Sequence, residues 1–180
     1  MKYISLLILI AIVFSCENQS EKARNYRTDF NKEEQKILVT SRKIIEDCYY
    51  GSLITIDQKG QPRARVMEPF KPENDFTIWL ATNPKSRKVN QIKNNPNTSM
   101  HYFDKTQMGY VSLMGKAILV NDPKIKSQKW KKGWGKFYKN QEEAYLLIKF
   151  TPATIELISF PNEYNGDADT WQPHQVELRH

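Results

Sequence analysis

The sequence predicts a mainly β fold, an antiparallel barrel or sandwich with a few flanking helices. About seven short segments are rich in β-branched and apolar residues, and tight turn signals separate them. The chain has 180 residues, of which 39% are hydrophobic, so it supplies enough apolar surface for one core. Its two cysteines exclude a disulfide-rich scaffold, and its seven glycines and nine prolines exclude a collagen-like chain.

The first residues have the pattern of an export signal. Residues 4–14 are apolar apart from Ser5, which is too short a run to span a bilayer core that takes about 20 residues. The run ends at Ser15 and Cys16, which resembles a bacterial lipoprotein signal that is cleaved before Cys16 and lipidated there. We therefore expect residues 1–15 to be a lipoprotein signal peptide. We expect the mature protein to be exported and membrane-anchored in a bacterial cell envelope; an ordinary signal peptide or a membrane-anchoring start is the alternative.

The segment after Cys16 is polar and has no hydrophobic periodicity, so residues 16–30 are predicted to be a flexible tether. Asn31 and Glu34 have the spacing of a capping box, and apolar residues then recur at helical spacing as far as Cys48. This pattern predicts a helix over residues 31–48 at the start of the domain.

Strand patterns and turn signals alternate through the rest of the domain. The predicted strands span residues 52–56, 63–67, 76–81, 98–104, 109–120, 145–150 and 154–160. A short helix is predicted over residues 86–94, with Val89 and Ile92 facing inward, and Asp122-Pro123 opens another. Gly115 within a strand predicts a bulge or a sharp bend.

These elements place one domain at residues 31–160 and a C-terminal tail at residues 161–180. The tail either folds over a cleft, with Trp171 packing there, or is a loosely held terminus.

Several common chemistries lack their motif in this sequence. The three histidines share no metal-ligand spacing with each other or with cysteine, so no metal site is predicted. The sequence contains no H-E-x-x-H, G-x-S-x-G, P-loop or G-x-G-x-x-G motif. Zinc chemistry, triad hydrolysis and a Rossmann domain are therefore not indicated. His101 lies in an alternating strand, which favours a structural role.

One cluster of residues indicates anion binding. Residues 81–88 combine three cations and two hydroxyls where a helix begins, and helix N-termini present free N–H groups and a partial positive charge that suit a phosphate. Arg65 lies in the preceding strand, and hairpin geometry predicts that it lies beside the third strand and is aimed at the same region. A solvated basic helix start is the alternative interpretation.

The segments 60–67, 78–83, 86–92 and 110–117 resemble the pyridoxamine 5′-phosphate oxidase-like, FMN-binding split-barrel family, most of all its general stress protein branch. The resemblance covers about residues 34–160 and implies a homodimeric split barrel with a flavin in each interface cleft. It implies these contacts: Arg65, Val66 and Met67 along the ring and chain, Thr82 and Asn83 at the ring or ribityl chain, Ser86, Arg87 and Lys88 at the phosphate, Tyr110 and Ser112 from the partner subunit, and Trp134 over the ring. Core packing is the alternative for Trp134.

The resemblance implies a lipid-anchored, stress-related oxidoreductase that uses FMN and acts on an unknown small molecule. FAD, a deazaflavin or haem are the alternative cofactors, and a non-catalytic flavin or haem binding or storage protein is the alternative function. Residues 155–158 lack a tryptophan that many relatives carry. Arg179-His180 does not match the spaced pair expected for pyridoxamine-phosphate oxidation, so that specific activity is not expected.

The net charge of +7 raises nucleic-acid binding as another function class. Seven lysines between residues 124 and 139 are interleaved with aromatic residues, a mixture that can contact phosphates and stack bases. An exported lipoprotein rarely meets nucleic acid, so a solvated helix face with its aromatics turned to the core is the favoured interpretation, and no nucleic-acid partner is expected.

Overall fold

A computed structural model describes residues 29–106 and 108–179. The predicted signal peptide, Cys16 and nearly all of the predicted tether lie outside the described residues. The last tether residue, Phe30, is buried in the core, where its carbonyl accepts a hydrogen bond from the side-chain amide of Gln35. In these described ranges, no helix is both long enough and apolar enough to cross a membrane.

The first helix, α1 (Lys32–Asp47), confirms the predicted capping box. The Asn31 side chain accepts from the backbone N–H of Glu33 and Glu34, and the Glu34 carboxylate accepts from the backbone N–H of Asn31. The apolar stripe from Ile37 to Ile45 faces the sheet and is buried. Periodic burial therefore fixes this helix against the barrel.

The described chain forms an antiparallel sheet of seven strands, with two further helices and two 3₁₀ turns. The strands are β1 (Gly51–Ile56), β2 (Pro62–Met67), β3 (Ile78–Thr82), β4 (Asn97–Asp104), β5 (Gly109–Val120), β6 (Leu146–Ile158) and β7 (His174–Glu177). The helices are α2 (Arg87–Asn94) and α3 (Pro123–Gln128), and the 3₁₀ turns are Trp134–Lys136 and Phe160–Asn162. Their hydrogen-bonded order is β2-β1-β4-β5-β6-β3, and β7 also pairs with β6. A mainly antiparallel β fold is confirmed.

The predicted separation of strands 145–150 and 154–160 at Thr151-Pro152 is wrong, because β6 runs through both as one strand. Gly115 is the residue opposite Pro152, and the β5–β6 register shifts between Met114 and Gly115, which confirms the predicted bulge. A Cβ on Gly115 would lie 2.2 Å from the Thr151 carbonyl oxygen. The missing side chain thus lets β6 bend past β5 without ending.

Strand β3 begins two residues later than predicted. Phe76 is buried with a left-handed φ of 63°, so it belongs to the preceding turn and not to the strand. The Arg42 guanidinium lies 4.4 Å from its ring centroid. This contact and burial hold an aromatic residue in a conformation that non-glycine residues rarely adopt.

The segment 161–180, predicted as a tail, contributes a strand to the sheet. Residues of β7 pair with β6 from Thr154 to Leu157, and Val176 is buried in the main core. Trp171 is 70% exposed, so it does not pack in a cleft. Strand pairing, rather than the tryptophan, anchors this segment.

Candidate functional site

A cationic cluster lies where β3 runs into α2. Thr82 ends the strand, and the helix begins after Ser86, so the intervening turn brings two hydroxyls next to the first cations of the helix. The Lys88 Nζ donates to Thr82 Oγ1 at 3.1 Å, and Thr82 Oγ1 lies 2.9 Å from Ser86 Oγ. Lys88 is thereby held over the turn rather than extended into solvent.

The N-terminus of α2 is left open by its own N-cap. Within the described chain, the Ser86 side chain makes no capping hydrogen bond, because its hydroxyl faces Thr82 instead. The first N–H groups of a helix then remain available to an external acceptor and carry a partial positive charge. Val89 and Ile92 are buried as predicted and anchor the helix to the barrel.

Arg65 lies in the same cluster, as predicted, but the strand pairing that places it there differs from the predicted pairing. Strand β2 pairs with β1, whereas β3 pairs with β6, so the predicted placement of Arg65 beside the third strand is wrong. The Arg65 guanidinium instead crosses to α2, where Nη2 donates to the Gln91 side-chain oxygen at 3.0 Å. The chain meets β3 at an isolated bridge between Pro69 and Leu80, after β2 has ended, whereas Arg65 itself is paired with Leu53 of β1.

The cations of this cluster are not neutralised by carboxylates. In residues 29–106 and 108–179, the ion pairs involve other side chains, and none includes Arg65, Arg87 or Lys88. Burial, together with the charges of Arg65 and Arg87, lowers the pKa of Lys88. Burial and the charge of Arg87 likewise lower the pKa of Arg65. The cluster is therefore a site of concentrated positive charge that favours an anion.

The resemblance also assigns Val66, Met67 and Asn83 to the flavin. Val66 and Met67 lie on opposite faces of β2, and Asn83 lies in the turn after β3. Successive strand residues point to opposite faces, so Val66 lies on the outer face, 69% exposed, while Arg65 and Met67 point the other way. Met67 packs partly against the main core. Asn83 is exposed, and its side chain accepts from the Lys85 backbone N–H.

Tyr110 and Ser112 lie on β5, away from the cationic cluster. The strand order separates β5 from β2 by three inter-strand steps, which is about 14 Å at the usual strand spacing. The Ser112 hydroxyl lies 2.9 Å from His101 Nδ1, and the rings of His101 and Tyr110 are 5.4 Å apart. These three side chains form a separate polar group on the outer face of the sheet.

Trp134 is buried in a second aromatic core with Trp79, Tyr145 and their neighbours. Its indole N–H is 3.4 Å from the Glu68 carboxylate, which also accepts from Tyr49 and Lys131. Trp134 therefore packs in the core, which was the alternative role considered for it.

The lysine-rich segment is divided between internal contacts and solvent. Lys126 is 6% exposed and donates to Asn121 and to the Glu142 carbonyl, while Lys129 pairs with Glu73 at 2.9 Å. Lys131 pairs with Glu68, also at 2.9 Å. Trp130, Trp134 and Tyr138 pack in the aromatic core, but Phe137 is 75% exposed, contrary to the expected inward orientation of these aromatics.

Thr55 and Gln91 belong to the cationic cluster but were given no role by the sequence. Both are buried, and both contact the Arg65 guanidinium. Gln91 lies three residues after Lys88, which places it on the same side of α2. That spacing is the sequence signal that could have indicated Gln91. No such signal marks Thr55, since the β1–β2 register is what brings Thr55 near Arg65.

The fold and the site define a split-barrel protein with a cationic cluster at the start of its second helix. The sequence of residues 36–158 matches the family model described as pyridoxamine 5′-phosphate oxidase like. The chain belongs to this family.

One relative agrees with this assignment, and two solved structures share the fold. General stress protein 26 of Bacillus subtilis is 30% identical over 129 residues, which are 69% of this chain and 87% of that protein. A Clostridium acetobutylicum protein related to general stress protein 26 has a TM-score of 0.66 at 19% identity, covering 79% of this chain and 94% of that one. A pyridoxamine 5′-phosphate oxidase-related, FMN-binding protein of Nostoc punctiforme has a TM-score of 0.54 at 14% identity, covering 79% and 93%.

Proposed function

We propose that this chain is a flavoprotein whose cationic cluster binds the phosphate of FMN. The observation that carries the proposal is the concentration of Arg65, Arg87 and Lys88 at an open helix N-terminus, with no carboxylate pairing among the described residues. A phosphate group would supply the negative charge that these cations are not paired with, and acceptor oxygens for their N–H groups. The FMN-binding neighbour of the same fold supports this choice of ligand.

The residues around the cluster fit the remainder of the cofactor. Met67 lies on the same face of β2 as Arg65, and exposed Asn83 lies in the turn before Arg87 and Lys88, so they would offer apolar and polar surface to a ring and a ribityl chain. When bound, the flavin supplies hydride and electron transfer itself, whereas the protein binds, orients and shields it. Arg65 and Lys88 would hold the phosphate, and Thr82 and Ser86 would orient Lys88.

We propose in addition that the chain acts as a homodimer through the outer face of the sheet. This face carries exposed or half-buried apolar side chains, including Ile54, Val66, Phe103 and Met114. Tyr110 and Ser112 lie on the same face, about 14 Å from β2, so a second copy is the simplest way to bring them to a flavin. Light scattering tests this: Met114→Lys should give a monomer with weakened FMN binding, whereas a wild-type monomer would contradict it.

The proposed activity is flavin-dependent oxidoreduction of a small molecule. The test is anaerobic addition of NADH or NADPH to the FMN-loaded protein, followed by visible absorption. Bleaching of the flavin, and recovery of its colour when an electron acceptor is added, would support an oxidoreductase. Stoichiometric flavin that no donor reduces would instead favour the non-catalytic storage protein.

We propose, from the sequence pattern at residues 1–16, that the protein is a lipoprotein of a bacterial cell envelope. Lipid attachment at Cys16 would supply the acyl chains that stable anchoring takes. Labelling of expressing cells with a fatty acid tests this, with Cys48→Ala as a control because Cys48 lies within the domain. Cys16→Ala should abolish incorporation of labelled fatty acid, whereas labelling that survives this change would contradict the proposal.

A further inference from the structure

Arg65 is held by three oxygen atoms of uncharged groups. Its Nη1 donates to Thr55 Oγ1 at 2.7 Å and to the Leu53 carbonyl at 3.1 Å, and its Nη2 donates to Gln91 Oε1 at 3.0 Å. Thr55 Oγ1 also donates to Gln91 Oε1 at 2.7 Å. One buried hydroxyl and one buried amide therefore lie together behind the guanidinium.

These acceptors fix the arginine without cancelling its charge. Thr55 is fully buried and Gln91 is 8% exposed, so their hydrogen bonds are shielded from competing water. A carboxylate at either position would hold the guanidinium equally well but would neutralise it. Three of the five N–H donors of the guanidinium are used in these contacts, which leaves two for a ligand.

We propose that Thr55 and Gln91 are a positioning pair that sets Arg65 for the terminal phosphate and so makes the site select FMN over riboflavin. The inference rests on the proposed function. An unrestrained arginine loses rotamer freedom when it binds, whereas an arginine that is already fixed binds its anion without that loss. Both members of the pair are buried and contact the Arg65 guanidinium, so their effect on binding should depend on the phosphate.

A purely structural role for the pair predicts a different result. The Thr55–Gln91 hydrogen bond also joins β1 to α2, and its loss would loosen the helix. A loosened helix would weaken all contacts of the cofactor, so the affinities for FMN and riboflavin would fall by the same factor. The ratio of the two dissociation constants separates the two roles.

The experiment measures binding of FMN and of riboflavin by flavin fluorescence, using the purified full-length chain. Gln91→Leu and Thr55→Val remove the acceptors, and we expect each to weaken FMN binding about tenfold or more while leaving riboflavin binding nearly unchanged. Thr55→Ser restores the hydroxyl and should restore the preference for FMN. Gln91→Glu keeps an acceptor but neutralises the guanidinium, so it should also lose that preference.

The matched control is Ile92→Val, which trims a buried residue of the same helix without touching Arg65. It should change the two affinities by the same factor. The inference is overturned if Gln91→Leu and Thr55→Val do the same, or if neither lowers FMN affinity. A wild-type chain that binds neither ligand would overturn the proposed function itself, which distinguishes the two failures.

Discussion

Replacement of Lys88 by methionine should weaken FMN binding while leaving the ligand-free protein about as stable as the wild type. The substitution keeps the length of the half-buried side chain and removes its charge from beside Arg65 and Arg87. It also removes the 3.1 Å hydrogen bond to Thr82, but Thr82 keeps Ser86 as a partner, so no buried hydroxyl is orphaned.

The magnitudes follow from these contacts. Loss of the hydrogen bond from the charged Lys88 ammonium to Thr82 costs about 1.5–3 kcal/mol, and relief of burial and charge repulsion offsets it, so the ligand-free Lys88→Met protein should be about as stable as the wild type. A hydrogen bond to a charged group contributes about 1.5–3 kcal/mol, which corresponds to a roughly 10- to 150-fold loss of FMN affinity.

The effect on stability should depend on pH in one direction. Burial and the two arginines lower the pKa of Lys88, so its protonated form disfavours folding. That cost is fully present below the lowered pKa and disappears as the pH rises past the ordinary lysine value of about 10.4. The stability of Lys88→Met relative to the wild type should therefore be highest near neutral pH and should fall toward the alkaline end.

Thermal melting without flavin and a fluorescence titration with FMN together test the Lys88 prediction. The matched control is Lys85→Met, which removes an exposed lysine of the same turn. It should leave FMN affinity within a few-fold of the wild-type value, because its charge is outside the cluster and screened by water. A Lys88→Met protein that melts at a lower temperature and binds FMN as tightly as the wild type would refute this prediction.

Three further predictions concern the rest of the fold. Gly115→Ala should lower the free energy of unfolding by about 1–3 kcal/mol in urea melts, because the new Cβ would lie 2.2 Å from a facing carbonyl oxygen. The control is Gly135→Ala, where a Cβ meets open space. An equal loss of stability in the two variants would contradict the bulge. Burial lowers the pKa of His101, so its NMR titration midpoint should lie below about 6.5. The free energy of unfolding should fall as the pH drops through that midpoint. A midpoint above about 6.5 would contradict the burial of His101. Glu68→Gln should shift the fluorescence of Trp134, whereas an unchanged spectrum would argue against their contact.

The sequence predicted most of the fold because the deciding signals are local. The capping box at Asn31, the inward face of α2 and the bulge at Gly115 each depend on residues within one element or directly opposite it. The errors arose where tertiary contacts decide. Pro152 does not end β6, because Gly115 on the neighbouring strand leaves it room, and Phe76 is held in a turn by Arg42.

The candidate site was predicted only in part for the same reason. Residues 82–88 form a contiguous segment, so their gathering at a helix start is visible in the sequence. Arg65 was expected near them through a hairpin with the third strand, whereas β2 pairs with β1 and the chain meets β3 only later, at Pro69. Thr55 could not be predicted, since its contact with Arg65 depends on the β1–β2 register and on the depth of burial.

The most direct test of the account is equilibrium binding of FMN to the purified full-length chain, followed by the visible spectrum and the melting temperature. The account predicts one FMN per chain, a perturbed flavin absorption band, a higher melting temperature with excess FMN, and weaker binding of riboflavin. An unperturbed flavin spectrum together with a melting temperature that excess FMN does not change would contradict the central claim.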